Sequence, residues 1–153
     1  MIVPRYRIGA STIPGAGLGL FLEEPVQRGR VVIAPDGVGS THSVEQLRDV
    51  PELTAQLHTA VRWFENHYTL SPNWPDECYV NHDFKPNGLW HLGFVFAARD
   101  LAAGEELTVD YRHLLGPGEE ENFRDARSGA PIVGLPWRES LLATSRALAE
   151  LLA

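Results

Sequence analysis

Cysteine, lysine and methionine are almost missing from this sequence. It has one Cys, one Met and, among 13 basic residues, a single lysine, Lys85. With Cys78 alone, no intramolecular disulfide can form and no cysteine-rich metal cluster can be built, which suits a reducing compartment. Long apolar runs are missing too, since no stretch approaches the roughly 20 residues that span a bilayer. The opening MIVPRYRIGA places Arg5 and Arg7 where a secretory leader needs unbroken apolar residues. These absences lead to the expectation of a cytoplasmic protein with no membrane partner. Positive charge is scarce as well. A net charge of −7 argues against a broad nucleic-acid surface, which needs a basic patch.

What is present fits a folded domain. Over 153 residues, 44% are hydrophobic and 22% charged, enough to bury a core without covalent staples. Acidic residues crowd residues 100–127, where Asp100, Glu105, Glu106, Asp110, Glu119, Glu120, Glu121 and Asp125 face only Arg112, Arg124 and Arg127. They read either as a solvated surface or as a field that attracts a basic peptide.

Short strands and turns dominate the first third. Ile2 to Ile8 is β-prone, Gly15 to Gly19 forces a turn, Leu18 to Leu22 starts a second strand and Val31 to Ile33 a third. Ser43 with Gln46 makes a capping box for a helix. After Pro51, Leu53, Leu57, Val61 and Phe64 fall at helical spacing, with a change to strand expected between Trp63 and Leu70. Leu89 to Ala97 predicts one buried strand, Leu101 to Gly104 a turn, and Leu107 to Val109 another strand. Residues 116–136, rich in Gly and Pro, read as irregular. The last element is a helix whose Leu141, Leu142, Ser145, Leu148, Leu151 and Leu152 share one face. The class is therefore α+β and β-rich, with a core over 1–115 and, packing on the same domain, an acidic loop and amphipathic helix over 116–153.

Three segments carry chemistry. AGLGLF (Ala16–Phe21) lets backbone peptide groups approach a ligand, although alone it reads first as a plain turn. It lacks the last glycine and the helix of a dinucleotide fingerprint. NHDFKPN places the amide of Asn81 beside the ring of His82, and alone could be a structural turn. GEELTVDY ends on Tyr111 and alone could be a hairpin with a core aromatic. His67, His82 and His91 match no standard metal spacing, so no metal is expected.

Taken together and in order, these segments resemble the signature of SET-domain protein methyltransferases. The resemblance covers Ala16 to Tyr111 and implies a fold of short curved sheets with a C-terminal pseudoknot and a terminal helix. It implies S-adenosylmethionine as cofactor, held by the backbone of Ala16, Gly17 and Leu18, by the Asn81 side chain and by His82 around the adenine. Tyr111 would be the catalytic tyrosine and Trp90 an aromatic of the lysine channel, though Trp90 reads equally as a core residue. The family's usual Ser-Cys after Asn-His is Asp83-Phe84 here, and its flanking zinc clusters have no counterpart. That leaves the C-terminal helix as the expected lid, with Trp137 over the adenine or, equally, in the core. The leucine face of that helix could instead join two subunits as a homodimer.

The resemblance implies methyl transfer to a lysine of a protein, with a basic protein or peptide as partner. The alternatives are a SET-fold module that binds without turnover, a SET enzyme acting on another side chain, or a structural β-rich interaction protein that binds no cofactor.

Overall fold

The computed structural model describes residues 1–36, 40–54, 59–71 and 73–153. Among them, the strands form five small sheets. Strand β1 (Tyr6–Ala10) pairs antiparallel with β2 (Leu18–Leu22), from Tyr6 opposite Leu22 to Ala10 opposite Leu18. Strand β3 (Val31–Ile33) lies beside β9 (Phe94–Ala97), which pairs in turn with β8 (Gly88–His91). A third sheet holds β4 (His42–Ser43), β6 (His67–Thr69) and β5 (Val61–Phe64). Strand β7 (Asn81–His82) runs parallel to β10 (Thr108–Val109), and β11 (Glu120–Arg124) pairs with β12 (Pro131–Val133). The helices are α1 (Val44–Asp49), α2 (Pro51–Thr54) and α3 (Trp137–Leu152).

Apolar side chains from these sheets make one core. Leu20 and Leu22 of β2, Val32, Val95, Ala97, Leu101, Leu107 and Val109 are buried together, and Trp90 joins them. Each fully buried Leu or Val contributes on the order of 1.5–3 kcal/mol relative to exposure. Isolated bridges from Phe21 to Glu106 and from Val26 to Leu101 lace the sheets together. At Gly88, an added Cβ would sit 2.9 Å from the carbonyl oxygen of Thr108, so β8 can lie against β10 only as glycine.

The β-rich architecture, β2, β3 and the Ser43–Gln46 capping box follow the expectation. The first strand starts later than expected, at Tyr6, with Ile2 making a lone bridge to Ile33. Val61 and Phe64 are strand residues, not helical ones, because Arg62 points inward and is fully buried. Its guanidinium donates to the carbonyls of His113 and Leu135. The expected helical position 57 lies outside the described residues. Leu89 to Ala97 is two strands rather than one. The chain reverses at Leu92 and Gly93, both at positive φ (50° and 83°), as a tight hairpin requires. Residues 116–136 are not wholly irregular, since they contain the β11–β12 hairpin.

Helix α3 spans the expected residues but buries only part of the expected face. Ser140, Thr144 and Leu151 are buried, while Leu142 and Leu152 are 47% and 62% exposed. The seam is polar. The Thr144 hydroxyl lies 2.9 Å from His91 Nδ1, and that of Ser140 lies 2.9 Å from His113 Nδ1. Small hydroxyl side chains let the helix approach β8 closely, and the two histidines satisfy groups that burial would otherwise leave costly. At the far end, Arg28 donates to the carbonyl of Glu150 and caps the helix C-terminus.

Candidate functional site

The site is built where β7 and β10 run side by side, with Asn81 opposite Thr108 and His82 opposite Val109. Asn87 extends this pairing with its side chain. Its amide donates to the carbonyl of Glu106 (2.9 Å), and its carbonyl oxygen accepts from the Thr108 N–H (2.8 Å). The second asparagine of NHDFKPN thus fastens that segment to GEELTVDY.

Glu106 organises the other side. Its carboxylate, 8% exposed, accepts from the Ser11 hydroxyl (2.6 Å), the Thr12 N–H (2.7 Å) and hydroxyl (2.5 Å), and the Asn81 amide (2.9 Å). Burial alone would raise its pKa, but the bonds from Ser11, Thr12 and Asn81 outweigh that and hold it below the ordinary value. Asn81 also donates to the carbonyl of Leu18 (2.9 Å) and to the Ser11 hydroxyl (3.2 Å). Acceptors on all sides of its nitrogen fix the amide's orientation, which leaves its oxygen to accept from a ligand. The carbonyl of Gly17 is engaged by Ser11 N–H (2.9 Å).

On the next turn, Tyr111 opens a short 3-10 helix (Tyr111–His113) capped by Asp110. Its N–H donates to His82 Nδ1 (3.1 Å) and its hydroxyl to the Val80 carbonyl (2.7 Å). Burial raises the phenol's pKa, with the charge of Glu121 adding to it, so Tyr111 stays protonated at neutral pH. Burial lowers the pKa of His82 despite Asp110, Asp125 and Asp83 nearby, so the ring is neutral.

The departure at Asp83-Phe84 has its own partners. Asp83 accepts from the Lys85 N–H (2.8 Å) and pairs with Arg127 (2.8 Å). Phe84 stands edge-on to His82, with centroids 4.6 Å apart, and its ring lies 4.7 Å from the Arg112 guanidinium carbon. Arg112 itself grips Asp110 through two nitrogens. Arg127 comes from the hairpin of β11 and β12, which also brings Phe123 edge-on to Tyr111, with ring centroids 6.3 Å apart.

A cavity of about 1570 Å³ opens over these groups. It runs on past them to Met1, Asp36 and Leu47. Ala16, Leu18, Asn81, His82, Trp90 and Tyr111 are on its wall. Six of the residues singled out in the sequence therefore converge, although Trp90 is also 4% exposed core.

Gly17 and Trp137 are not on the wall. The structure places Trp137 elsewhere because Arg62, fully buried beneath the start of α3, takes its ring as a partner, with 5.7 Å from the guanidinium carbon to the ring centroid. The strand β11, rather than α3, lines the cavity through Glu121, Asn122, Phe123 and Arg124. Sequence reasoning missed Glu106, Asn87 and the β11 residues. Glu106 was visible as the second acid of GEEL, whereas nothing in GPGEEENFRDARSG marks it as a wall.

Short sheets, a parallel pair that sets Asn-His beside a terminal tyrosine, and a carboxylate holding a glycine-rich loop define the class of the site. The SET-domain family model matches residues 17–112, more than half of the chain. The chain belongs to the SET-domain family, whose members are generally methyltransferases that use S-adenosylmethionine. No curated protein sequence matches it. Among the described residues, no group of three or more His, Cys, Asp or Glu side chains could hold a metal ion, and no helix is long and apolar enough to cross a membrane.

Proposed function

We propose that the protein transfers a methyl group from S-adenosylmethionine to a lysine side chain of a protein. The observation that carries this reading is the convergence of Asn81, His82 and Tyr111 on one cavity. The donor set suits the cofactor's amino-acid end, which presents an ammonium group to oxygen acceptors. The Asn81 side-chain oxygen and the backbone of Ala16 would hold it. When bound, S-adenosylmethionine supplies an electrophilic methyl group on a sulfonium that is already a good leaving group.

The protein's own work is then positioning. The Tyr111 proton is engaged by Val80, so its oxygen lone pairs can accept from the incoming amine. Tyr111, Phe123 and Trp90 give that amine an apolar surround, which disfavours its charged form and releases the nucleophile. Glu119 and Glu121 share the wall with one arginine, Arg124, and suit a basic protein or peptide. Asn81, His82 and Tyr111, all on the cavity wall, favour an enzyme over a module without turnover. Cys78, a free thiol, suits a cytoplasmic location.

Tyr111→Phe tests this reading. Calorimetric affinity for S-adenosylhomocysteine should stay within about twofold, while methylation of a lysine peptide falls by about 10²-fold or more. Failure of the wild-type protein to bind S-adenosylhomocysteine, or full activity in the variant, would overturn it.

A further inference from the structure

The ring of His82 is almost wholly enclosed, with 2% of its side chain exposed, and its Nε2 has no hydrogen-bond partner. The other ring nitrogen, Nδ1, accepts the N–H of Tyr111 and so must be bare. In the neutral ring the proton therefore sits on Nε2. The group it faces is Asp125 Oδ1, 3.7 Å away on a side chain 3% exposed. That is beyond direct hydrogen-bond length, yet the carboxylate's charge still favours an N–H dipole aimed at it where both groups are well removed from water.

Asp125 is held for this task from behind. Its Oδ2 accepts from the Ser128 N–H (2.6 Å) and hydroxyl (2.5 Å). Its backbone closes a turn with Ala130 (3.0 Å) and Gly129 (2.8 Å). The other charged groups around His82 are engaged with one another, Asp110 with Arg112 and Asp83 with Arg127. We infer that Asp125 is a positioning residue: its carboxylate holds His82 in the Nε2-protonated tautomer, so that Nδ1 keeps the backbone of Tyr111 in place. Burial would raise the pKa of Asp125, but the Ser128 bonds and His82 outweigh it and keep the carboxylate charged. Displacing a reacting group by 1 Å can cost about 10²-fold in rate, so this link from the hairpin loop reaches the chemistry through Tyr111. That last consequence rests on the proposed methyl transfer. The tautomer does not.

Asp125→Asn is the decisive variant. It keeps an oxygen for Ser128 but turns an amide N–H toward Nε2–H, donor against donor. The Nε2–H form then loses the carboxylate that supports it, and as the proton shifts to Nδ1 the Tyr111 N–H loses its acceptor. Long-range ¹H–¹⁵N spectra of ¹⁵N-histidine protein, with His82 identified by its loss in His82→Gln, read the tautomer directly. The wild type should show Nε2–H, and Asp125→Asn should shift toward Nδ1–H with a displaced Tyr111 amide signal. Turnover should fall by about tenfold or more while S-adenosylhomocysteine affinity stays within about twofold. An Nδ1–H wild type, or a His82 signal unchanged in Asp125→Asn, would overturn the inference. So would a Ser128→Ala variant that moves His82 equally, because the turn and not the carboxylate would then be responsible. A wild type with no turnover would sink the proposed function and leave the spectra to decide this inference.

Discussion

Replacing Gly19 by alanine probes the arrangement that holds the glycine-rich loop to the Asn-His strand. A Cβ there would collide with Glu106 Oε1, lie 2.8 Å from Glu106 Cδ and 3.2 Å from the Asn81 amide nitrogen. Glu106 cannot simply swing aside, because it is buried and accepts four hydrogen bonds from Ser11, Thr12 and Asn81. Forcing it to shift costs about 1–3 kcal/mol by overpacking. Weakening even one bond to its charge adds about 1.5–3 kcal/mol.

A loss near 3 kcal/mol is therefore expected, a large fraction of the roughly 5–15 kcal/mol that stabilises a domain. Urea unfolding with an unchanged m-value reads it. In a Glu106→Ala background the obstacle is gone, so adding Gly19→Ala should cost under about 1 kcal/mol, a coupling of about 2 kcal/mol. Gly17→Ala is the comparator. It sits at φ +77° with no neighbour within 4 Å, so it should cost about 1–2 kcal/mol by strain alone, unrelieved by Glu106→Ala. Equal costs for Gly19→Ala in both backgrounds would refute the argument.

Stability should also decline in mild acid. Burial lowers the pKa of His91 and His113 in the folded protein, so between their folded values and the unfolded value near 6.5 the unfolded chain binds more protons. Unfolding free energy then rises with pH through that window. The melting temperature should be steady above about pH 7, fall as pH drops below 6.5, and fall less steeply in His113→Gln. A flat profile would mean that these rings are not buried as neutral bases. Trp137→Ala should lower stability by about 2 kcal/mol through lost packing on Arg62 while leaving S-adenosylhomocysteine affinity unchanged. Lost affinity at full stability would return that ring to the cofactor.

Much of the architecture was legible because its signals are local. The β-branched run of β3, the Ser43–Gln46 box and the extent of α3 each depend on neighbours within a few residues. Reversals that violate local rules were hidden. Leu92 is an apolar residue at positive φ, so a hairpin looked like one continuous strand. Val61 and Phe64 matched a helical period by coincidence, since the burial of Arg62 depends on carbonyls 51 and 73 residues away.

The face of α3 was misread because leucines were taken as the buried set. Two histidines from distant segments instead select Ser140 and Thr144. Ala16, Leu18, Asn81, His82 and Tyr111 stand in the motifs, and with Trp90 they line one cavity. The contribution of β11 was not legible, because long-range docking leaves no periodic mark.

The pairing of Asp83 with Arg127 couples two positions far apart in the chain. Asp83 is a carboxylate with a side chain 7% exposed, and its cation, 76% exposed, arrives from a loop 44 residues later. A mutation that introduced the acid first would have buried an unpaired charge, whereas the arginine alone would have been harmless on the surface. The acid at this buried position therefore depends on the cation that reaches it from the distant loop. Among homologues, Asp at this position should occur with Arg or Lys at the position of Arg127, and chains without that cation should carry a neutral residue beside the Asn-His pair.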